Sequence, residues 1–263
     1  MSLATAVSQT PTNLSSNDAA VLQALFDSDS PPTQPPSSSV QVDPSLPAYN
    51  DISDEDLQSL KSREVAAIRQ VNSPSPQDPE TSIREGIAAL TALIEERPTY
   101  ASAYANRAQA RRLLLQPKRS DGNSTDSDEA AALFYPENRS VATDIFSDLS
   151  TAIHYASSSE SFSSSSRPKP VPSTRAKVLA DSYTHRGYIL LRAARLRKDT
   201  KDAVQGGPEQ IASGYSQDEL EEMASRDFFL GGQYGNEVAK QLSVRTNPYA
   251  KMCGAIVKEM LSS

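Results

Sequence analysis

Few of the side chains that usually carry catalysis or bind metals occur in this sequence. The chain contains two histidines, His154 and His185, and a single cysteine, Cys253. The histidines fall in different helical segments, and no cluster of His, Cys and Asp has the spacing of a metal site. Cys253 lies in an apolar segment without an adjacent base, which is typical of a buried structural thiol rather than a nucleophile. We therefore predict no catalytic residues and no metal ligands.

Two loop motifs could in principle bind ligands. The glycines of Gly231–Gly235 suggest a phosphate loop, but they follow a helical segment and lack the Lys-Ser/Thr of such loops, so a helix end fits better. The acidic residues of Asp121–Asp128 suggest a calcium loop. Its sixth position is Asp126 where glycine is required, and its twelfth is Ala132 where glutamate is required. Neither motif fits, and we predict a protein without cofactors that is not an enzyme.

The composition of the chain limits which partners it could bind and in which cellular compartment it could function. The net charge of the 263-residue chain is −7, which argues against nucleic acid or an anionic membrane surface as the partner. One cysteine cannot form an intramolecular disulfide, and no apolar run is long enough to cross a membrane. The first 20 residues resemble neither a signal peptide nor a transit peptide. We expect a soluble, monomeric protein of the cytoplasm, with access to the nucleus left open.

Hydrophobic periodicity predicts a series of helices separated by Pro- and Ser-rich segments. Pro98 ends one Ala- and Leu-rich helix, and Tyr104, Ala108 and Arg111 follow it at helical spacing. Two helices, a short turn and a proline make one tetratricopeptide repeat, whose period is roughly 34 residues. The predicted helices are 17–26, 51–71, 80–97, 101–115, 141–156, one that begins near 173, 217–230, 236–244 and 247–261.

The run Ala101-Ser-Ala-Tyr-Ala-Asn-Arg-Ala-Gln-Ala-Arg-Arg-Leu113 resembles the tetratricopeptide repeat protein 36 family. Asn17–Phe26, Tyr183–Gly187 and Arg245–Cys253 resemble other stretches of that family. The resemblance covers most of the chain outside three insertions, which depart from the short loops of the animal members. It implies an adaptor linked to seventy-kilodalton heat-shock chaperones and to the protection of an enzyme of tyrosine catabolism.

The repeat pattern and the resemblance predict an all-α fold. This is a tetratricopeptide-repeat helical solenoid of three helix pairs with a C-terminal capping helix, a disordered N-terminal segment and insertions. Residues 1–50 are predicted to be largely disordered with a short helix at 17–26, and 51–263 to form the repeat domain. Its predicted parts are repeat one at 54–98, repeat two at 101–156 with an insertion at 116–139, a linker at 157–172, repeat three at 173–231 and capping helices at 236–261.

In a repeat of this class the first helices line a concave groove, so residues at fixed repeat positions are candidate partner contacts. They are Lys61, Val65, Ile68, Ser102, Ala105, Asn106, Gln109, Arg112, Leu113, Asp181, Thr184, His185, Tyr188, Leu191 and Arg192. Some such grooves hold an acidic C-terminal peptide in a clamp of lysine, arginine and asparagine. Lys61 and Asn106 fit that clamp, whereas Val65, Asp181 and His185 do not.

We therefore predict a non-catalytic adaptor or co-chaperone-like scaffold that binds a protein partner through the groove. The resemblance names a heat-shock chaperone or a metabolic enzyme as the partner. The alternative is a structural subunit that uses its convex face and its insertions to assemble a larger complex.

The short N-terminal helix carries an apolar stripe, and we treat it as a docking motif. The stripe consists of Val21, Leu22, Leu25 and Phe26. A helix this short does not persist alone in water, so it must bind something. Either it docks onto the repeats of its own chain, or it is a free motif for a partner.

Deleting residues 1–30 separates these two alternatives. If the helix docks in its own chain, the deletion lowers the melting temperature, measured by circular dichroism, because it exposes the surface that the stripe covers. An unchanged melting temperature together with the loss of partner binding would contradict docking in cis and support the free motif.

Overall fold

The computed structural model describes residues 40–75, 77–115, 129–157, 170–199 and 206–247. This part of the chain is mostly helical, which confirms the predicted all-α class. Its helices are α1 (Asp54–Asn72), α2 (Pro79–Glu96), α3 (Ala101–Arg112), α4 (Glu129–Ala132), α5 (Arg139–Ser157), α6 (Ser173–Asp199), α7 (Glu209–Ala212), α8 (Gln217–Gln233) and α9 (Glu237–Thr246), with a 3-10 turn at Pro136–Asn138. Two short strands, β1 (Val42–Asp43) and β2 (Val171–Pro172), complete it. The predicted helix at 17–26, and 247–261 beyond its first residue, lie outside the described residues.

Side-chain caps begin the long helices where the sequence places them. The Ser53 hydroxyl accepts a hydrogen bond from the Asp56 amide at the start of α1, and Asp78 caps α2 with Pro79 in its first turn. Ser216 and Glu219 form a capping box at the start of α8. Each cap satisfies a backbone N–H that has no partner within the helix, and this fixes where the helix begins.

The helices pack in chain order and form two layers. Each long helix contacts the next, from α1 to α2, α3, α5, α6, α8 and α9, and α3 also contacts α1 and α6. Within a pair the helices run antiparallel: Arg63 and Gln70 on α1 bind Glu96 and Glu85 on α2, in reversed order. We call α1, α3 and α6 the inner layer, and α2, α5 and α8 the outer layer.

Small residues allow the paired helices to approach closely. A Cβ atom added to Gly187 on α6 would lie 2.9 Å from the Phe228 ring on α8, and one added to Gly86 on α2 would lie 2.4 Å from a Val71 methyl on α1. Ala108 on α3 is fully buried. Because these sites have no room for a larger side chain, substitutions there would push the helices apart.

Two buried ion pairs connect the inner and outer layers. Arg107 donates to both carboxylate oxygens of Asp148 at 3.0 and 2.7 Å and also to Thr91 on the preceding outer helix at 3.0 Å. Arg186 binds Asp227 in the same bidentate way, at 2.7 and 2.8 Å. Both aspartates are buried, so each arginine supplies charge and hydrogen bonds that water cannot.

The residues around the Arg186–Asp227 pair match those around the Arg107–Asp148 pair. Each arginine lies over a tyrosine three residues before it in the chain, at 5.6 Å from the ring centroid. Each of these tyrosines packs against a second tyrosine, which is Tyr155 on α5 or Tyr234 directly after α8. The same displacement along the chain relates the members of the two sets: Tyr104 to Tyr183, Arg107 to Arg186, Ala108 to Gly187, Asp148 to Asp227 and Tyr155 to Tyr234. The pairs α3–α5 and α6–α8 are therefore two copies of one unit.

The structure differs from the predicted organisation at the end of the N-terminal segment. Residues 40–52, most of which fall within the predicted disordered stretch, lie against the helices. Val42 pairs in parallel with Val171, at the end of the predicted linker, and Tyr49 packs on Tyr100 with ring centroids 5.4 Å apart. Burial raises the pKa of Tyr49 to about 12. Apolar side chains at Tyr49 and Ile52 hold this segment in place, although it has no periodic pattern.

Two regions outside the predicted helices also contribute to the core. The end of the insertion at 116–139 contains α4 and the buried Leu133 and Phe134, and the Asn138 amide donates to the Ala132 carbonyl at 2.7 Å. Between α6 and α8, Ile211 on α7 is buried in the same cluster. The described part of the chain contains no helix that is long and apolar enough to cross a membrane.

The Arg107–Asp148 pair predicts that substitutions of two neighbouring aspartates will lower the stability of the protein by very different amounts. Asp148→Ala leaves the half-buried guanidinium groups of Arg107 and Arg111 without the carboxylate that both contact, so it should lower the free energy of unfolding by about 3 kcal/mol, the low end for a broken buried pair. Asp144→Ala is the matched control, because exposed Asp144 pairs with Arg111 at 3.3 Å and should cost at most about 1 kcal/mol. Urea unfolding followed by circular dichroism measures both. Equal losses would contradict a structural role for the buried pair.

Candidate functional site

A continuous depression runs along the inner layer, and we call it the inner groove. It consists of two cavities, of about 490 Å³ and 280 Å³, that share Asn106, Gln109 and Arg112 on α3. The larger cavity lies between α1 and the end of α3, and the smaller one between α3 and α6. The larger cavity is lined by Ile68, Val71, Asn72, Leu90, Ala110, Leu113, Leu115 and Ala132 in addition to the shared residues.

Most of the groove residues predicted from the sequence line the smaller cavity. They are Ala105, Asn106, Gln109, Arg112, Asp181, Thr184, His185 and Tyr188. Ser102 lies one turn before Asn106 and forms a hydrogen bond with it at 3.4 Å. Lys61, Val65, Leu191 and Arg192 line neither cavity, and Val21, Leu22, Leu25 and Phe26 of the N-terminal motif lie outside the described residues.

Glu64 is the residue beside the groove that sequence reasoning missed. Its buried carboxylate accepts hydrogen bonds from the Tyr100 hydroxyl at 2.6 Å and from the Asn106 side-chain amide at 2.7 Å. Burial and the neighbouring Glu64 charge raise the pKa of Tyr100. The sequence signal that could have identified Glu64 is its place in the apolar stripe of α1, where it follows Leu60 by one turn and precedes Ala67. The neighbouring Val65, selected from the sequence, is 43% exposed.

The bond to Glu64 changes what Asn106 can do. In a clamp for an acidic C-terminus, the asparagine amide would donate to the ligand carboxylate. Here that amide already donates to Glu64, and a second carboxylate beside it would be repelled. The Asn106 carbonyl oxygen is left to accept a hydrogen bond, and a peptide N–H group is a suitable donor.

His185 is a neutral side chain that lines the smaller cavity. The Gln109 amide lies 3.2 Å from its Nδ1 atom, an arrangement in which Gln109 donates and Nδ1 accepts. Burial and the nearby positive charge of Arg112 lower the pKa of His185 to about 3. Without a charge at physiological pH, His185 contributes hydrogen bonding and shape to the groove.

Arg112 and Asp181 are charges of opposite sign in the smaller cavity. Arg112 is exposed and donates to the Gln109 side-chain oxygen at 3.1 Å, and no described carboxylate forms an ion pair with it. Asp181 is likewise outside every ion pair among the described residues, and partial burial raises its pKa against the opposing effect of Lys177. The groove therefore offers one cation and one anion to a ligand.

Exposed apolar side chains complete the rim of the groove. Leu113 at the end of α3 is 55% exposed, and Tyr188 on α6 is 46% exposed with its ring edge-on to Phe228 at 5.4 Å. No group of three or more His, Cys, Asp or Glu in the described ranges could hold a metal ion. Amides, isolated charges and apolar rims of this kind suit the binding of a peptide segment.

The comparisons with known proteins supply one informative similarity. No family model matches the chain, and no solved structure matches it. The L-tyrosine degradation gene cluster protein hmgX of Aspergillus fumigatus is 49% identical to the chain over 265 aligned positions. The alignment covers 99% of this chain and 97% of that protein, so the similarity includes the helix pairs and the inner groove.

The lowered pKa of His185 predicts a pH-dependent stability. The unfolded chain binds a proton at His185 near pH 6.5, whereas the folded chain does so only near pH 3. The contribution of neutral His185 to the free energy of unfolding is therefore fully present above pH 6.5, and it is lost as the pH falls toward 3. Between pH 7 and pH 5 the loss is about 2 kcal/mol.

His185→Gln should remove the contribution of His185 to the pH dependence of stability and leave the acidic groups, including Asp181, unchanged. Urea unfolding at several pH values should give a shallower decline for the variant than for the wild type. Parallel curves would show that His185 is readily protonated in the folded protein.

Proposed function

The chain belongs to the family of the L-tyrosine degradation gene cluster protein hmgX, and we propose that it is a non-catalytic adaptor in L-tyrosine degradation. In this proposal a protein partner binds along the inner groove. The single observation that carries it is the smaller cavity, where residues of α3 and α6 present amides, a cation and an anion on one surface. Among the described residues of that surface no hydroxyl is hydrogen-bonded to His185, whose Nδ1 atom is bonded to Gln109, and this supports a non-catalytic role because acyl or group transfer needs a nucleophile paired with a base.

We also propose that the helices form a tetratricopeptide-repeat solenoid related to the tetratricopeptide repeat protein 36 family. Antiparallel helix pairs stacked in chain order support it, with the first helix of each pair in the inner layer. The equivalence between Tyr104-x-x-Arg107-Ala108 and Tyr183-x-x-Arg186-Gly187 supports it further, because small residues at the same repeat position allow the same close packing.

An enzyme of L-tyrosine degradation is the partner that we favour over a heat-shock chaperone. A chaperone tail held by its terminal carboxylate would need the Asn106 amide, which Glu64 occupies. An internal segment of a folded enzyme has no terminal carboxylate, and its backbone N–H groups suit the Asn106 carbonyl oxygen. We expect the adaptor to act as a monomer in the cytoplasm, where it would meet such an enzyme.

Complementation tests the proposal in an Aspergillus fumigatus strain that lacks hmgX. The proposal expects this strain to grow poorly on L-tyrosine and this chain to restore growth, whereas Arg112→Glu should fail to restore it because the cation in the groove is reversed. Arg195→Glu is the matched control: it makes the same charge change at an exposed site on α6 outside both cavities, and it should complement fully. Immunoblots would verify equal protein levels.

Each failure of this experiment has a distinct meaning. No growth with the wild-type chain would contradict the role in L-tyrosine degradation. Full growth with Arg112→Glu would contradict binding through the groove and would support the alternative of a structural subunit that uses its outer face.

A further inference from the structure

Unlike three other arginines of the inner layer, Arg112 forms no ion pair with an aspartate of the outer layer among the described residues. Arg107, Arg111 and Arg186 each form an ion pair with a buried aspartate of the outer layer. Arg112, next to Arg111 on the same helix, is turned away from these aspartates and lines both cavities of the groove. An exposed guanidinium at the junction of two cavities is placed to pair with a carboxylate from outside the chain.

The larger cavity provides an apolar site directly beside Arg112. Leu90 and Val71 are buried in its wall, and Leu113 and Ile68 extend the apolar surface toward solvent. Its polar lining consists of Asn72 and the three residues shared with the smaller cavity. A volume of about 490 Å³ accommodates a bulky aliphatic or aromatic side chain, whose burial is favourable in proportion to the area removed from water.

The smaller cavity, on the other side of Arg112, adds a site of opposite charge. Asp181 lines it and forms no ion pair among the described residues, and His185, one turn after Asp181 on α6, contacts Gln109, to which Arg112 is also hydrogen-bonded. Along the groove from α1 to α6, the order is therefore apolar cavity, cation, anion. A ligand that complements this order carries an apolar group, then an acid, then a base.

We propose that the groove recognises a peptide segment of its partner in which a bulky apolar residue is followed, in either chain direction, by an acidic and then a basic residue. The apolar side chain occupies the larger cavity, the acid pairs with Arg112, and the base pairs with Asp181. The Asn106 carbonyl oxygen accepts a backbone N–H of the same segment. This inference rests on the proposed adaptor function and specifies the class of segment that it binds.

Random dodecapeptides displayed on phage and selected on the full-length chain test this inference. The selected peptides should share the apolar–acidic–basic order. In fluorescence anisotropy, Arg112→Glu should weaken a selected peptide on the order of tenfold or more, and replacing the acid of that peptide by lysine should restore binding to the variant. The same peptide should lose affinity as the salt concentration rises.

Leu113→Ser tests the apolar site, with Val65→Ser as its matched control. Both leucine and valine are exposed, so neither change should alter the fold, but only Leu113 lines the larger cavity. We expect weaker peptide binding for Leu113→Ser alone. Equal effects of the two variants would overturn the assignment of the apolar site.

Other outcomes separate this inference from the proposed function. Peptides that depend on Arg112 but lack the apolar–acidic–basic order would overturn the inference and leave the adaptor function standing. Failure to select any peptide would overturn the inference, while the complementation experiment would still test the function. Selected peptides that match this chain's own sequence would overturn the assignment to an external partner. They would indicate that the groove binds a segment of the chain itself or of a second copy.

Discussion

The buried Arg107–Asp148 and Arg186–Asp227 pairs are the constraint on which the arrangement of this protein depends. Each arginine binds an outer helix of its own pair and also contacts a hydroxyl on the outer helix of the preceding pair, Thr91 for Arg107 and Ser150 for Arg186. A buried charge that loses such a partner is strongly destabilising. The two arginines therefore fix the rotation of α3 and α6 about their axes.

That rotation determines which residues face the groove. Successive residues of a helix are turned by about 100°, so the residue before an arginine that points to the outer layer projects in a different direction. Asn106 and His185 occupy this position before Arg107 and Arg186, and both line the smaller cavity. The same ion pairs that stabilise the helix pairs thus place the amides and charges of α3 and α6 that would contact a partner.

The sequence predicted the long helices and most of the smaller cavity because both follow from periodic patterns. Tyr104 and Tyr183 are each followed by arginine and a small residue, and this fixed the register of α3 and α6. On α1 no such motif exists, and Val65 was selected as the groove residue instead of its neighbour Glu64, which lies in the apolar stripe. Its partners, Tyr100 and Asn106, are 36 and 42 residues away, so only the folded chain reveals why a carboxylate is buried there. The pairing of residues 42–43 with 171–172 escaped prediction for a related reason: two-residue strands have no periodicity, and their contact joins distant segments.

Site-specific photo-crosslinking in cells that degrade L-tyrosine tests the central claim, that a partner binds in the inner groove, most directly. A benzophenone amino acid would replace either Tyr188, exposed in the groove, or Phe229, exposed on α8 outside both cavities. The two positions are both exposed aromatic side chains, so the chemistry of the probe is matched. Binding in the groove predicts that an enzyme of L-tyrosine degradation is crosslinked from position 188 and not from 229. Crosslinking from 229 alone would contradict the account and would place the partner on the outer layer.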